Sequence, residues 1–238
     1  MNKTTVDLTK PSLYAEPNSH FHRIKRKITY RTILKLINNH VKKLNAQNIL
    51  EIGTGSGYLI SLLEEIYPNI DIEGIEYDDR LVELTRTKLK NSIVTQGNAE
   101  NFTISHGFDI IVSLQVIEHL YSPELMLDSV LFHLKPGGTF IFTTPNLGCV
   151  SNRFMKDKWH GFREDHVSLK SRMEWDKLLI SKGFKKEYSG STFFTGIPFL
   201  NKLPFGLLNW LLLYFFGSLS WSGGESYIGV FKKLENNI

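Results

Sequence analysis

The segment whose residue types and spacing could do chemistry is a glycine-rich turn between a predicted strand and a predicted helix. Residues 49–60 read ILEIGTGSGYLI, with glycines at the alternate positions 53, 55 and 57. Glycine lets the backbone turn sharply and approach a ligand closely, because no Cβ atom is in the way. The free N–H groups of the following helix favour an anionic group at the same place. The pattern predicts a ligand-binding turn, and a tight turn without a ligand is the alternative.

The spacing of these glycines separates two kinds of cofactor turn. The dinucleotide fingerprint Gly-x-Gly-x-x-Gly would need a glycine at position 58, where the sequence has Tyr58. The order Glu-x-Gly-x-Gly-x-Gly that is present instead resembles the first motif of class I S-adenosylmethionine-dependent methyltransferases. In that family the turn wraps the methionine end of the cofactor, and the acidic residue near its start orients it. The resemblance implies a cofactor-binding set of Glu51, Gly53, Thr54, Gly55 and Gly57.

A second acidic residue, Glu76, ends the next predicted strand, 19 residues beyond Gly57. A carboxylate there can accept hydrogen bonds from both hydroxyls of a ribose, at a separation that suits a nucleotide-type cofactor. Tyr77 could then lie against the adenine, and a solvated strand-end glutamate is the alternative. After the third strand, the resemblance implies that the Asn98 side chain and the Ala99 backbone N–H contact the adenine edge. Asn is less common there than Asp, but its amide can still donate and accept.

The fourth strand ends in residues 113–120, SLQVIEHL. This segment resembles the methyltransferase subgroup, of types 11 and 23, that includes the ubiquinone-biosynthesis O-methyltransferases. The resemblance continues through LKPGG at 134–138, TPN at 144–146 and DHV at 165–167, and covers about residues 20 to 190. We count Gln115 among the predicted cofactor-binding residues.

The same segment raises the question of a metal. Some members of the subgroup, including small-RNA 2′-O-methyltransferases, are thought to bind a divalent metal through Glu-x-x-Glu-His and a later His. Glu118, His119 and His166 could match, but Gln115 stands where the first Glu belongs. The loss of one carboxylate weakens a site for a hard cation, so we predict no metal.

Without a metal, His119 and His166 become candidate catalytic residues. A histidine titrates near neutrality and can take a proton from an attacking hydroxyl, or it can orient the acceptor. Glu118 is the third predicted catalytic residue, because it could hold an imidazole in one tautomer. Simple packing of His119 at a helix start, and a loop hydrogen bond of His166, are the alternatives. Trp159, Phe162 and Arg163 lie in the predicted substrate loop, where they could contact an aromatic or anionic acceptor or merely pack.

Strands and helices alternate along the chain, which favours a parallel sheet with helices on both faces. We predict an α/β fold, a Rossmann-like seven-stranded and mostly parallel sheet with a small helical cap. One domain spans 1–238, with a cofactor-binding core at 45–145 and a substrate loop and apolar cap insert at 146–224. A capping box from Ser171 to Glu174 predicts a helix start. The strands are predicted at 49–52, 70–77, 93–96, 108–114, 139–144, 184–189 and 226–232.

The composition, with 42% hydrophobic and 22% charged residues over 238 positions, is that of a globular protein. The single cysteine, Cys149, excludes an internal disulfide, and the polar start of the chain, 1–17, has no secretory signal. We therefore expect a cytoplasmic protein. A helix predicted over 21–44 lies in an interval without acidic residues that contains eight Lys and Arg. It could attract anionic lipid, nucleic acid or substrate, or be a solvated face.

Residues 203–224 contain no charged residue. Their length could span a bilayer, but a single crossing would separate two strands that one sheet needs. A buried cap and a segment in the membrane interface remain; the polar tips of Trp210, Tyr214 and Trp221 suit an interface. An anionic membrane surface is therefore a candidate partner, and the protein could be peripheral to the inner face of the membrane.

The predicted function is methyl transfer from S-adenosylmethionine to a hydroxyl oxygen of a small-molecule, lipid or glycan acceptor. The fourth strand lacks the Asn/Asp-Pro-Pro-Tyr motif associated with amino methylation of bases, so nucleic acid is an unfavoured partner. Two alternatives stay open. One is an RNA 2′-O-methyltransferase, and the other is a non-catalytic cofactor-binding protein that docks on a membrane or a biosynthetic complex.

Overall fold

A sheet of eight strands runs through residues 20–192 and 205–235, the part of the chain that the computed structural model describes. The strand order is β3-β2-β1-β4-β5-β8-β6-β7, parallel from β3 to β5 and antiparallel from β5 onward. The strands are β1 Asn48–Ile52, β2 Asp71–Glu76, β3 Ile93–Gln96, β4 Phe108–Leu114, β5 Leu134–Pro145, β6 Phe184–Thr192, β7 Ser218–Leu219 and β8 Ser226–Lys233. The helices are α1 His20–Leu44, α2 Tyr58–Ile66, α3 Asp79–Arg86, α4 Pro123–His133, α5 Val150–Met155, α6 Arg172–Ser181 and α7 Phe205–Phe216.

This order confirms the predicted Rossmann-like sheet and places its switch point at β1. The chain moves from β1 outward to β2 and β3, and then returns to β4 on the other side. A crevice opens where neighbouring connections leave in opposite directions, and ligands of such folds bind there. The difference from the prediction is an eighth strand, β7, whose two residues extend the sheet beyond β6.

Two apolar layers hold the helices against the sheet. On one face α4 and α6 pack through Met126, Leu127 and Trp175 onto β4, β5 and β8. On the other face α1 and α2 pack through Ile33 and Ile60 onto β1 and β4. Parallel strands covered on both faces are mostly apolar, which explains why β4 is apolar except at Asp109 and Ser113.

The starts of helices α6 and α4 are held by different contacts. The Ser171 hydroxyl accepts the N–H of Glu174, whose carboxylate accepts the N–H of Ser171, so the predicted capping box starts α6. At α4 the preceding Ser122 makes no side-chain cap bond, and its N–H donates to Glu100 Oε1 at 2.7 Å.

The uncharged run forms a short helix and an edge strand. Within the described residues, no helix has both the length and the apolarity to cross a bilayer. Five apolar side chains of α7 are between 42% and 72% exposed, so the side of this helix that carries them is not buried. Residues 1–19 and 193–204, which include the polar start and part of the predicted cap, lie outside the described residues. The division into a core and a cap insert stays a prediction.

Candidate active site

The glycine turn is closed by protein on two sides and open on one. Gly53, Gly55 and Gly57 have φ angles of 77°, 53° and 78°, the left-handed region that favours glycine. A Cβ atom at Gly53 would overlap the side chain of Val116, and one at Gly57 would overlap Thr85. At Gly55 a Cβ atom would meet nothing within 4 Å. The backbone at Gly55 therefore borders the crevice, and a ligand can approach it closely.

Glu76 is fixed at the edge of this crevice by three backbone donors. Its carboxylate accepts the N–H of Gly55 at 2.8 Å, of Tyr77 at 2.8 Å and of Asp78 at 3.1 Å. A carboxylate offers about four acceptor positions, so at least one remains for a further donor. This geometry fits the predicted contact to a ribose hydroxyl. Tyr77 is 75% exposed at the end of β2, which leaves its ring accessible to an adenine.

Glu51 is a buried carboxylate with an unsatisfied oxygen. Burial raises its pKa well above the ordinary range, and the nearby Glu76 raises it further, while the backbone amide of Ile60 lowers it. Its Oε2 atom has no hydrogen-bond partner among the described residues. A buried polar atom without a partner is costly, so a donor or cation is expected at this point. The ammonium group of a methionine-type cofactor would supply one. Thr54 Oγ1, in the same turn, is also buried without a partner in the described chain.

Three further residues were predicted to bind the cofactor, Asn98 and Ala99 after β3 and Gln115 after β4. The Asn98 side-chain oxygen accepts the N–H of Glu100 at 2.9 Å, which leaves its amide N–H₂ group to face a base. Ala99 is buried in the core beside it. Gln115 has a positive φ of 58° and its amide donates to Thr143 Oγ1 at 3.2 Å, so its side chain is directed toward β5. The contact between this segment and the glycine turn is made by the next residue, Val116.

A second cluster lies directly after β4. Glu118 and His119 belong to a 3₁₀ turn at Ile117–His119, and His166 comes from the loop before α6. One side-chain ligand atom of each lies within 4.8 Å of the others, and the two imidazole rings meet edge to face with centroids 4.9 Å apart. The structure therefore brings together all three residues predicted to be catalytic. A divalent metal also accepts such donors, so the predicted absence of a metal stays a prediction.

Backbone carbonyls fix the orientation of both rings. His119 Nδ1 lies 2.9 Å from the carbonyl oxygen of Asp165, and His166 Nδ1 lies 2.8 Å from that of Gly161. A carbonyl oxygen only accepts, so Nδ1 carries the proton and Nε2 carries the lone pair in each neutral ring. This corrects the expected role of Glu118 as the residue that orients an imidazole. Asp165 precedes His166 in the sequence, whereas nothing in the sequence marks Gly161, which contributes only a carbonyl.

Burial shifts the pKa values of His166 and Glu118 in opposite directions. Desolvation lowers the pKa of His166, and the neighbouring His119 lowers it further against the opposing hydrogen bond to Gly161. Burial raises the pKa of Glu118 to about 8, although the hydroxyl of Thr144 donates to its carboxylate at 3.1 Å. Near neutral pH, His166 is therefore an unprotonated base and Glu118 is a protonated acid. The base for an acceptor hydroxyl must then be an imidazole.

The predicted substrate loop is anchored by a buried carboxylate. Trp159 is buried and its Nε1 donates to Glu225 Oε2 at 2.9 Å, so of the two alternatives, an acceptor contact or packing, it packs. Glu225 also accepts from the hydroxyl of Ser151 and lies 3.4 Å from His160 Nε2. Phe162 packs edge to face on Trp159, at a centroid distance of 5.3 Å.

For Arg163, an anionic acceptor and a contact within the loop were the alternatives, and the structure shows the contact within the loop. Its guanidinium donates two hydrogen bonds of 3.0 Å to the Asp165 carboxylate, so it fixes Asp165 rather than presenting an unpaired charge.

The sheet order, the glycine turn and the carboxylate at the end of β2 define a class I S-adenosylmethionine-dependent methyltransferase. Residues 21–189 match the model of a methyltransferase-domain family, and the chain belongs to that family. Its cofactor is S-adenosylmethionine.

Two curated relatives illustrate the range of the family. Over 143 residues the chain is 28% identical to a probable S-adenosylmethionine-dependent methyltransferase of Mycolicibacterium smegmatis, covering 60% of this chain and 51% of the relative. Over 160 residues it is 25% identical to a malonyl-[acyl-carrier protein] O-methyltransferase of Paenibacillus sp., covering 61% and 58%. The chain thus spans about half the length of the curated relatives it matches.

Solved structures share the fold. The plantazolicin methyltransferase BamL, in complex with a triazolic desmethylPZN analog and S-adenosylhomocysteine (SAH), superposes with a TM-score of 0.66 at 17% identity, covering 89% of this chain and 87% of BamL. An S-adenosylmethionine-dependent methyltransferase of Thermotoga maritima gives a TM-score of 0.61 at 20% identity, covering 90% and 95%. At these identities the likeness concerns the fold alone.

Replacement of Gly55 by arginine tests the turn, with Gly183→Arg as a matched control. Both glycines have positive φ and open space at the Cβ position, but Gly183 lies at the end of α6, away from the crevice. Each change should cost about 1 kcal/mol of folding free energy from backbone strain. Only Gly55→Arg should abolish binding of SAH in calorimetry. Equal affinity in the two variants would contradict the placement of the cofactor.

Glu118→Gln tests the buried acid through the pH dependence of stability. The folded protein holds the Glu118 proton up to about pH 8, whereas the unfolded chain releases it above 4.5. Between these values the unfolding free energy of the wild type falls as pH rises, by up to about 1.4 kcal/mol per pH unit. Relative to wild type, Glu118→Gln should therefore gain roughly 2–4 kcal/mol between about pH 5 and pH 8, measured by urea denaturation. Parallel stability curves would refute the assignment, since the two proteins differ only at this residue.

Proposed function

We propose that the protein transfers a methyl group from S-adenosylmethionine to a hydroxyl oxygen of a small-molecule, lipid or glycan acceptor. The observation that carries this proposal is the pair of imidazoles beside the cofactor crevice, each with Nδ1 on a backbone carbonyl. The pair is close to the crevice because its 3₁₀ turn begins directly after Val116, which packs on Gly53.

The side chains have a simple task in this reaction. S-adenosylmethionine, when bound, supplies an electrophilic methyl carbon on a sulfonium. The protein holds the acceptor oxygen in line with that carbon and its sulfur. As the new oxygen–carbon bond forms and the carbon–sulfur bond breaks, the hydroxyl proton passes to Nε2 of His166. A neutral His166 is suited to this role because burial lowers its pKa.

An oxygen acceptor agrees with the name of a relative, the malonyl-[acyl-carrier protein] O-methyltransferase. An RNA 2′-hydroxyl is the second candidate, favoured by the exposed basic side chains Arg31, Lys35 and Lys42 on α1. Sharply salt-dependent RNA binding would support that candidate. Binding of cofactor without turnover on any acceptor would instead indicate a non-catalytic binding protein.

Mass spectrometry of lipid and glycan extracts tests the proposal directly. Extracts from cells without the protein provide the acceptor pool, and purified protein with S-adenosylmethionine should add about 14 mass units, one CH₂, to a member of that pool. SAH should accumulate in step with the new species. If no species gains this mass in either extract, lipid and glycan acceptors are ruled out and only a small-molecule acceptor remains of the proposed classes.

His166→Gln should lower kcat by about 10²- to 10⁴-fold and leave SAH affinity unchanged, because only the base is lost. In the wild type, activity should fall on the acid side of the ordinary histidine pKa of 6.5, since His166 has a lowered pKa and is inactive when protonated. His166→Gln should lack this acid limb. The control is His106→Gln, an exposed histidine just before the amino end of β4, which should keep wild-type kinetics. A variant at 166 with normal kcat would remove the base from the mechanism.

A further inference from the structure

The outer side of α7 carries an apolar stripe that the rest of the described chain leaves exposed. Its spacing of i, i+1, i+4, i+7 and i+8 places the side chains on one side of a helix. In a globular protein such a stripe normally faces the core, whereas here each member is at least 42% exposed. We name this surface the α7 face; it consists of Leu207, Leu208, Leu211, Tyr214 and Phe215.

A basic helix lies beside the α7 face. The guanidinium of Arg31 on α1 stands 5.1 Å from the ring centroid of Tyr214, and Thr32 packs against Gly217 just after α7. Arg31, Lys35 and Lys42 are all exposed, and their spacing of i, i+4 and i+11 puts them on one side of α1. The whole of α1 contains no acidic residue. The exposed apolar stripe is therefore bordered by a row of positive charge.

We infer that the α7 face and the basic side of α1 dock together on the surface of an anionic bilayer. The helix α7 has 12 residues and is about 18 Å long, which is too short to cross the hydrocarbon layer but suits a helix lying in the interface. In that position the apolar stripe enters the acyl boundary and the cations meet anionic headgroups. The mixture of an apolar stripe and a cationic border favours a lipid surface over a second copy of the chain, whose α1 would bring like charge.

The docking face adjoins the edge of the sheet that holds the site. The strand β7 follows α7 and pairs with the end of β6, while Ser226 at the start of β8 pairs with Pro145 at the end of β5. The carboxyl ends of β1 and β4, with the crevice, lie at this same edge. Docking would therefore bring the mouth of the site to the membrane. The inference deepens the proposed function and rests on it in one respect, because it selects a lipid-soluble acceptor from the proposed classes.

Vesicle flotation of the full chain without cofactor or acceptor tests the docking. Wild-type protein should float with phosphatidylcholine vesicles that contain about 30% phosphatidylglycerol, and much less with phosphatidylcholine alone or at high salt. Leu211→Glu/Phe215→Glu should lower the partition coefficient at least about tenfold, because two exposed apolar side chains leave the interface. Arg31→Gln/Lys35→Gln should reduce the preference for phosphatidylglycerol.

Matched controls lie on the opposite face of the sheet. Phe132 on α4 and Ile180 on α6 are 77% and 50% exposed, so Phe132→Glu/Ile180→Glu makes the same chemical change away from the α7 face and should bind like wild type. Lys177→Gln, an exposed position on α6, is the corresponding charge control. SAH affinity should be unchanged in all four variants, which shows that they fold.

Three results would overturn the inference. Wild-type protein could fail to float, or Leu211→Glu/Phe215→Glu could float like wild type. Analytical ultracentrifugation could also show a dimer that this variant converts to a monomer, without vesicle binding, and the occupant would then be a second copy. Because flotation needs no turnover, a protein that floats and methylates nothing would contradict the proposed function and leave the docking face intact.

Discussion

The hydrogen bond from the Gly55 N–H to the Glu76 carboxylate is the interaction on which the site depends. It joins the turn after β1 to the end of β2 at 2.8 Å, so the two halves of the crevice are set relative to each other before a ligand arrives. Because the other carboxylate oxygen is held by the N–H groups of Tyr77 and Asp78, Glu76 has little freedom to move. A carboxylate ordered in this way loses little side-chain entropy on binding a ribose, which favours affinity.

The acceptor side relies on a different principle, the use of backbone carbonyls to choose a tautomer. The backbone carbonyls of Asp165 and Gly161 each accept a hydrogen bond from the Nδ1–H of one imidazole. The two hydrogen bonds from Arg163 in turn fix the Asp165 side chain. The buried Glu118 sits beside this pair as an acid with a raised pKa. The fully buried Glu118 thus favours a neutral carboxyl, while the pKa of the partly exposed His166 is lowered so that it keeps a basic nitrogen, and acid and base lie within a few ångströms of each other.

Much of the fold could be predicted from local patterns. The strand β4 and the capping box at Ser171 have periodicity and residue types that only one local structure satisfies. The glycine turn can also be predicted from the sequence, because three alternate glycines are typical of a turn with positive φ angles. The two-residue strand β7 cannot be predicted in this way, because so short a strand forms only by pairing with the edge of β6.

The side-chain partners of the site were harder to foresee. The loop position of Trp159 allows either an acceptor contact or packing. The structure shows packing, against Glu225, a residue 66 positions later in the chain. The carbonyl of Gly161 has no side chain that could mark it. The apolar run from 203 to 224 was ambiguous between burial and exposure because a uniformly apolar segment has no polar side to set its orientation.

The buried carboxylate at 225 has a consequence for how acceptor preference can change. It precedes the last long strand, yet it binds Ser151 and Trp159 of the loop after β5, and the Asn146 amide bonds the carbonyls of Ser222 and Gly224 in the same segment. The acceptor loop and the chain entering β8 therefore form one unit, although the bonded residues lie 66 to 78 positions apart along the chain. A graft that moved residues 146–183 alone between homologues would replace Ser151 and Trp159 and so disturb the fit of that loop to the buried Glu225 carboxylate. We expect a graft to fold only if it transfers residues 146–183 together with residues 222–225.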